Sequence, residues 1–172
     1  MEHQMKVIVA SLCVVVSLSL QADNLLTDTC ISMKSGWSCW ASKFVLDAGG
    51  SVILQDGKAV AKSPAIEKQR NANIQLIKAI NVEPGKSYRL KFKGNTTAAG
   101  TVTVTYNLLK APYTAYASTR IDMKAGEKEY ECTLTVKEKD ENSDIPYVLR
   151  LYLGAFENAT VTISDVSFEC AE

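Results

Sequence analysis

The sequence predicts an all-β protein, a two-sheet antiparallel β-sandwich of the jelly-roll type. Three observations predict it. Apolar and polar residues alternate with period two in several segments, which places one face of a strand on a core and the other in water. Turn signals containing glycine or proline separate these segments at regular spacing, and none keeps the 3.6-residue period of a helix.

The alternating segments are the predicted strands. In chain order they cover residues 73–80, 88–93, 101–106, 130–136, 148–153 and 160–163. The turn Glu83-Pro84-Gly85-Lys86 separates the first two, because proline fixes φ at its second position and glycine supplies a positive φ at its third. Four aromatic residues that alternate with polar neighbours are expected in the core: Tyr88, Phe92, Tyr130 and Phe168.

Residues 1–22 have the pattern of a secretory signal peptide. Lys6 precedes the nearly apolar and uncharged stretch Val7–Leu20, and Gln21-Ala22 offers a cleavage site. The stretch is short for a membrane span, and an uncleaved N-terminal anchor is the alternative. We therefore expect a secreted, periplasmic or extracellular protein with one domain over residues 23–172 and no membrane span in the mature chain.

Composition excludes several classes of function. The 19 basic residues balance the 19 acidic ones, so no long-range attraction toward nucleic acid is expected. His3 is the only histidine and falls in the predicted signal peptide. The mature chain would then have no imidazole for general-base catalysis or metal binding.

The cysteines predict disulfides. Four of them follow residue 22, and an even number in an exported chain indicates two bonds with three possible connectivities. The first and last strands of a jelly roll are usually neighbours, which favours Cys30–Cys170 and leaves Cys39–Cys132. Buried free thiols are the alternative.

Five motifs follow one another through residues 24–169. They are Asn24-Leu25-Leu26 with Gly36-Trp37, Gln75-Leu76 with Ile80–Leu90, Ala111-Pro112-Tyr113, Leu151–Gly154, and Val161–Phe168. This ordered set resembles family 4/9-type carbohydrate-binding modules, the cellulose-binding modules of bacterial endoglucanases. The resemblance implies a galactose-binding-like jelly roll that binds polysaccharide in a cleft across one face, with Trp37 at the family's buried tryptophan position.

The chain differs from the family pattern at three places. Ile31-Ser32 stands where the family often has Phe-Glu, and Ser164-Asp165 where it often has Asp-Asp or Asp-Asn. Those acids help to hold a structural calcium in many members, and calcium prefers several carboxylate oxygens. No cofactor is therefore expected, and Asp165 is a metal ligand only if calcium is retained. Ala72 replaces an aromatic residue that often precedes the Ile-Gln-Leu segment, which removes one platform for a sugar ring.

The candidate binding residues are aromatic side chains with polar neighbours, because sugar rings pack their C–H faces on aromatic planes and their hydroxyls need polar partners. Tyr113 and Tyr116 lie in a segment stiffened by Pro112, although this loop could instead fold its tyrosines back over the sheet.

Further candidates lie on strands. Arg150 and Tyr152 alternate with leucines and should face outward together, where the guanidinium offers a fork of donors to a hydroxylated ligand. A cross-strand pair on a solvated face is the alternative. Gln75 and Asn107 could add amide hydrogen bonds, and Trp40 is expected at the rim.

The function predicted from these residues is weak, non-catalytic binding of a polysaccharide, such as a β-glucan or a related plant or cell-wall glycan, by a monomer. One alternative is an association with glycoside hydrolase activity, which needs two carboxylates roughly 5–9 Å apart. Glu67, Asp122 and Glu127 form no recognisable constellation of that kind. The other alternative is a secreted structural or interaction protein that has lost the sugar site, which Ala72 favours.

Overall fold

The computed structural model describes residues 24–26, 29–65, 70–138 and 144–171. The predicted signal peptide and Glu67 lie outside these ranges. The elements that the structure describes are β1 (Trp37–Ala41), α1 (Lys43–Asp47), β2 (Ser51–Gln55), β3 (Lys58–Ser63), a 3-10 turn (Asn71–Asn73), β4 (Ile74–Ala79), β5 (Ser87–Thr96), β6 (Gly100–Leu108), β7 (Ala115–Met123), β8 (Gly126–Thr135), β9 (Tyr147–Tyr152) and β10 (Ala159–Ala171). Neither helical segment among them is long and apolar enough to cross a membrane.

The strands form two five-stranded sheets, which confirms the predicted sandwich. The first sheet has the order β1-β4-β9-β6-β7 and the second has the order β2-β3-β10-β5-β8. Every pair of neighbouring strands is antiparallel. The two sheets therefore face each other across a single core.

Alternation decides which side chains enter that core. In the first sheet, Leu151 pairs with Leu76 on one side and Val104 on the other, and all three side chains are fully buried. The second sheet contributes buried aromatic rings, with Tyr88 and Phe168 stacked at a centroid distance of 5.3 Å. The inward faces are thus apolar, as the period-two pattern predicts.

Several elements were not predicted. β2 and β3 form a hairpin whose turn contains Asp56 and Gly57, both with positive φ. Its second strand presents Ala59 and Ala61 to the core, and such small residues give little hydrophobic contrast. The short helix α1 begins after Ser42, whose hydroxyl accepts a hydrogen bond from the backbone N–H of Val45 and caps the first turn.

The predicted Cys39–Cys132 disulfide is wrong. Cys39 lies on β1, an edge strand of the first sheet, and Cys132 lies on β8, an edge strand of the second. Because β1 lies against β2 while β8 lies against β7, these two strands occupy opposite sides of the sandwich. The two thiols remain unbonded to each other.

The Cys30–Cys170 disulfide is also absent. The N-terminal segment runs antiparallel to β10, with Leu25 N–H donating to the Phe168 carbonyl and Val166 N–H donating to the Thr29 carbonyl. Cys30 therefore lies level with the start of the bulge in β10, about 16 Å along the strand from Cys170. The first and last segments are neighbours, as predicted, but their register separates the two sulfurs.

Candidate functional site

The outward face of the first sheet carries two rows of side chains that cross all five strands. Backbone pairing aligns the first row as Trp40, Gln75, Tyr152, Thr103 and Arg120. The adjacent row consists of Ser38, Ile77, Arg150, Thr105 and Ser118. At a strand spacing of about 4.8 Å, each row spans about 19 Å.

A cleft of about 520 Å³ lies over these rows. Its lining consists of Trp40, Ala72, Gln75, Ile77, Leu109, Tyr113, Arg150 and Tyr152. The sheet forms its floor, and two connections contribute to its sides: the 3-10 turn before β4 and the segment 109–114 between β6 and β7.

The 3-10 turn is held to the sheet by hydrogen bonds. Gly154 N–H donates to the Asn71 carbonyl at 3.0 Å, and the Asn71 side-chain amide donates to the Thr103 hydroxyl at 3.1 Å. The Gln75 amide donates to the Ala72 carbonyl at 2.8 Å. A Cβ atom at position 154 would meet the Arg70 carbonyl oxygen, so glycine allows this close approach.

The opposite side presents Tyr113. Leu108 N–H donates to the Thr114 carbonyl at 3.1 Å, which closes the loop, and Tyr113 N–H donates to the Lys110 carbonyl at 2.9 Å. Tyr113 has φ of 56° and follows a cis peptide bond between Ala111 and Pro112. Its side chain is 55% exposed, and its ring lies 5.7 Å from the guanidinium carbon of Arg150. The loop thus presents an accessible aromatic plane.

Arg150 lies on the cleft floor and is only 4% exposed. Its Nη1 donates to the Tyr152 hydroxyl and its Nη2 to the Leu109 carbonyl, both at 3.3 Å. The Tyr152 ring lies 5.8 Å from the guanidinium. Within the described ranges, Arg150 Nε has no hydrogen-bond partner and the guanidinium has no carboxylate in salt-bridge range. Some of its N–H donors therefore have no partner among the described residues, on a side chain that lies between two tyrosines.

Five of the seven predicted side chains meet at this cleft: Trp40, Gln75, Tyr113, Arg150 and Tyr152. Trp40 is 48% exposed at the edge strand β1, in agreement with the expected rim position. Trp37 is buried, as the resemblance implied.

Two predicted residues are not brought to the cleft. Tyr116 belongs to β7 rather than to a loop, and its ring packs edge-on against Tyr147 at a centroid distance of 5.5 Å. Asn107 is buried, its amide donates to the Leu108 carbonyl, and its side-chain oxygen is within hydrogen-bond distance of the Thr105 hydroxyl. Both side chains are occupied by intramolecular contacts.

Several residues of this face were missed in the sequence. Leu109 and Ile77 line the cleft, and Thr103 and Arg120 extend the first row. The alternation Thr101-Val-Thr-Val-Thr105 places Thr103 outward and could have indicated it. Arg120 lies on β7, a strand that the pattern did not predict.

The residues at Asp165 do not fit a calcium site. Asp165 lies at a bulge of β10 with φ of 51°, and its carboxylate is 3.6 Å from the ammonium of Lys93. The carboxylate also accepts a hydrogen bond from the Ser164 hydroxyl. Nowhere in the described ranges do three acidic, histidine or cysteine side chains gather to hold a metal.

An open groove with exposed aromatic rings and with guanidinium and amide groups thus lies across one face of this β-sandwich. Residues 33–149 match the family described as Carbohydrate binding domain (CBM_4_9), and the chain belongs to this family. The family predicted from the sequence is therefore confirmed.

Solved structures with a similar fold include domains that are named for carbohydrate binding. The second N-terminal cellulose-binding domain of β-1,4-glucanase C from Cellulomonas fimi is 19% identical with a TM-score of 0.67, over 88% of this chain and 97% of that chain. A CBM4 structure is 21% identical with a TM-score of 0.61, over 78% and 86%. The CBM22-1 xylan-binding domain of Xyn10C from Paenibacillus barcinonensis is 9% identical with a TM-score of 0.55, over 88% and 96%. A comparison with curated proteins returned no match.

Proposed function

We propose that this protein is a non-catalytic module that binds a polysaccharide chain along the cleft of the first sheet. The observation that carries the proposal is that two exposed aromatic residues, Tyr113 and Trp40, line one cleft together with the guanidinium of Arg150. Aromatic planes accept the C–H faces of sugar rings, and the guanidinium, with Gln75 beside it, supplies hydrogen bonds to hydroxyls.

The polysaccharide would run across the strands rather than along them. The row from Trp40 to Arg120 spans about 19 Å, which accommodates several consecutive sugar residues. Both end residues of this row are exposed, so the interior of a long chain can enter without threading a chain end. Trp40 and Tyr113 would each supply a stacking surface.

Binding is expected to be weak, with dissociation constants on the order of micromolar to millimolar, or about 4 to 8 kcal/mol. A shallow face buries a sugar incompletely, and each hydroxyl gives up hydrogen bonds to water on entering it. Each aromatic contact adds about 0.5–1.5 kcal/mol on the scale of aromatic pairs.

The proposed ligand class is a β-glucan or a related plant or cell-wall polysaccharide. Two observations support it: the chain's family, and similarity to domains named for cellulose binding and xylan binding. The domains named for cellulose binding and xylan binding share the fold of this chain at 19% and 9% identity, and a panel of glycans distinguishes between these ligands.

The described lining of the cleft contains no carboxylate pair, which supports binding without hydrolysis. No acidic side chain is among the described residues that line the cleft, whereas a glycosidase needs two. Asp122 lies on β7 and accepts a hydrogen bond from Thr101, and Glu127 lies on β8 of the other sheet. These two acids do not share a face.

We also propose that the protein is secreted and that its mature domain is a monomer. The uncharged apolar stretch within residues 1–22 supports export, after which residues 23–172 would form the mature domain. N-terminal sequencing of protein recovered outside the cytoplasm should begin near Asp23, and sedimentation should give the monomer mass. Protein that retains Met1 would contradict cleavage.

Affinity electrophoresis on soluble glucans, xylans and mannans tests the proposal. Retardation on at least one β-linked glucan or xylan is expected, together with no release of reducing sugar from the same panel. The double variant W40A/Y113A should migrate without retardation. Wild-type protein that is retarded by no glycan would instead favour a sandwich that has lost its sugar site.

A further inference from the structure

Arg150 is a buried cation to which the described residues supply no counter-charge. Arg150 is only 4% exposed, yet its side chain forms no ion pair with any described residue. Buried charges in proteins are ordinarily paired, because removing a charge from water is unfavourable. Arg150 therefore differs from a buried arginine that stabilises a fold through an ion pair.

The contacts that Arg150 does make leave most of its hydrogen-bonding capacity unused. A guanidinium has five N–H donors, and the structure pairs it with two oxygens, the Tyr152 hydroxyl and the Leu109 carbonyl. The rings of Tyr113 and Tyr152, at 5.7 and 5.8 Å, stabilise the charge without accepting its protons. Nε remains without a partner in the described ranges.

The described lining of the cleft adds no negative charge to that of Arg150. None of the described lining residues is acidic. A second cation, Arg120, lies exposed on the same face, two strands and one row from Arg150 and thus about 12 Å away. Asp122, its neighbour on β7, accepts a hydrogen bond from the Thr101 hydroxyl. The formal charge among the described lining residues is therefore the positive charge of Arg150.

We infer that the preferred ligand of the cleft is an acidic glycan, whose uronate carboxylate pairs with Arg150. This inference rests on the proposed function and specifies its substrate class. A carboxylate can accept two parallel N–H bonds from a guanidinium and supplies the missing counter-charge, whereas a sugar hydroxyl supplies neither. Relative to a hydroxyl, the carboxylate adds a second parallel hydrogen bond and an ionic attraction, and a gain of about 1.4 kcal/mol corresponds to about tenfold in affinity.

The test compares two ligands that differ only in the acid. A soluble β-1,4-gluco-oligosaccharide and the same oligosaccharide oxidised at C6 to the carboxylate are titrated into the full-length protein by calorimetry. The oxidised ligand is expected to bind about tenfold more tightly at low salt. The preference should fall by only about twofold near 0.5 M salt, because salt screens an ion pair at a buried guanidinium much less than an exposed pair and leaves the neutral ligand unaffected.

A second matched pair locates the acid in the glycan. Xylan bearing glucuronate branches is compared with the same xylan after its carboxyl groups are reduced. A preference for the acid in either pair supports the inference and shows whether the carboxylate belongs to the backbone or to a branch. Equal affinities within both pairs would overturn it while leaving the proposed function intact. Binding to none of the four ligands would overturn both.

Variants assign the effect to Arg150. R150Q should bind the acidic and neutral members of a pair equally, with thermal melting used to verify the fold. R89Q removes an exposed cation of the second sheet, which lies 3.6 Å from Glu131, and should keep the wild-type preference. Because Arg150 is buried, its variant could fail to fold; the ligand pairs measured on the wild-type protein then decide alone. A folded R150Q that retains the full preference would contradict the assignment.

Discussion

Tyr113→Ala separates binding from folding at the cleft. The ring is 55% exposed and lies 5.7 Å from the guanidinium of Arg150, so the folded state gains little from it beyond this contact. Losing an exposed cation–π contact costs about 0.5–1 kcal/mol of folding free energy, which lowers Tm by a few degrees in a domain of this size. Losing the sugar platform costs about 0.5–1.5 kcal/mol of binding, or roughly three- to tenfold in affinity.

Calorimetric titration with a glycan that retards the wild-type protein, and thermal melting of the same samples, measure the two effects. Phe44→Ala is the matched control, because Phe44 is an exposed aromatic residue on α1 that does not line the cleft. This control should bind as tightly as wild type. Unchanged affinity of Tyr113→Ala would refute the assigned role of the loop, as would an equal loss in Phe44→Ala.

Three further predictions concern folding, the cleft side and pH. Tyr88→Ala should lower the free energy of unfolding in urea by about 3–5 kcal/mol, because the ring is buried and stacked on Phe168; a loss below 1 kcal/mol would contradict its core role. In Gly154→Ala, the added Cβ would collide with the Arg70 carbonyl oxygen and displace the 3-10 turn, so glycan binding measured by calorimetry should weaken several-fold. Unchanged affinity would show that the turn does not shape the cleft. Burial raises the pKa of the Cys132 thiol from 9.0 to about 11, so the contribution of the neutral thiol to stability is present below about pH 9 and is lost as the pH rises through 11. In equilibrium unfolding, Cys132→Ala should therefore lose less stability than wild type over that pH range. Parallel curves of stability against pH for the two proteins would argue against the shift.

The core faces of the sandwich were predictable because burial on one side of a strand imposes a period of two. Tyr88, Leu90 and Phe92 alternate with polar residues on β5, and all three are buried. The same rule placed Arg150 and Tyr152 outward together, where both line the cleft. It failed for β3, whose core positions are Ala59 and Ala61, because alanine contrasts too little with its neighbours.

The alternation of residues along one strand does not determine how that strand pairs with a distant strand. The register of β6 and β7 shifts between Tyr106 and Asn107, so that Tyr106 pairs with Ala117 and Asn107 pairs with Ala115. Tyr116 is the additional residue of this bulge, and its ring turns to Tyr147 instead of the cleft. The separation of Cys30 from Cys170 is likewise a matter of register. The sequence pattern also does not show which connecting segments pack beside the sheet. Leu109, which lies in one of these segments, was therefore missed.

Mapping of a bound glycan by NMR tests the central claim most directly. A soluble β-1,4-gluco-oligosaccharide, or its C6-oxidised form, is titrated into isotope-labelled full-length protein. Chemical-shift changes are expected along the row of the first sheet, at Trp40, Gln75 and Tyr152, and at the side chain of Arg150. Residues on the outer face of the second sheet, such as Lys91, should remain unchanged. Shifts confined to the second sheet, or no shifts with any glycan of the panel, would contradict a carbohydrate-binding cleft at this position.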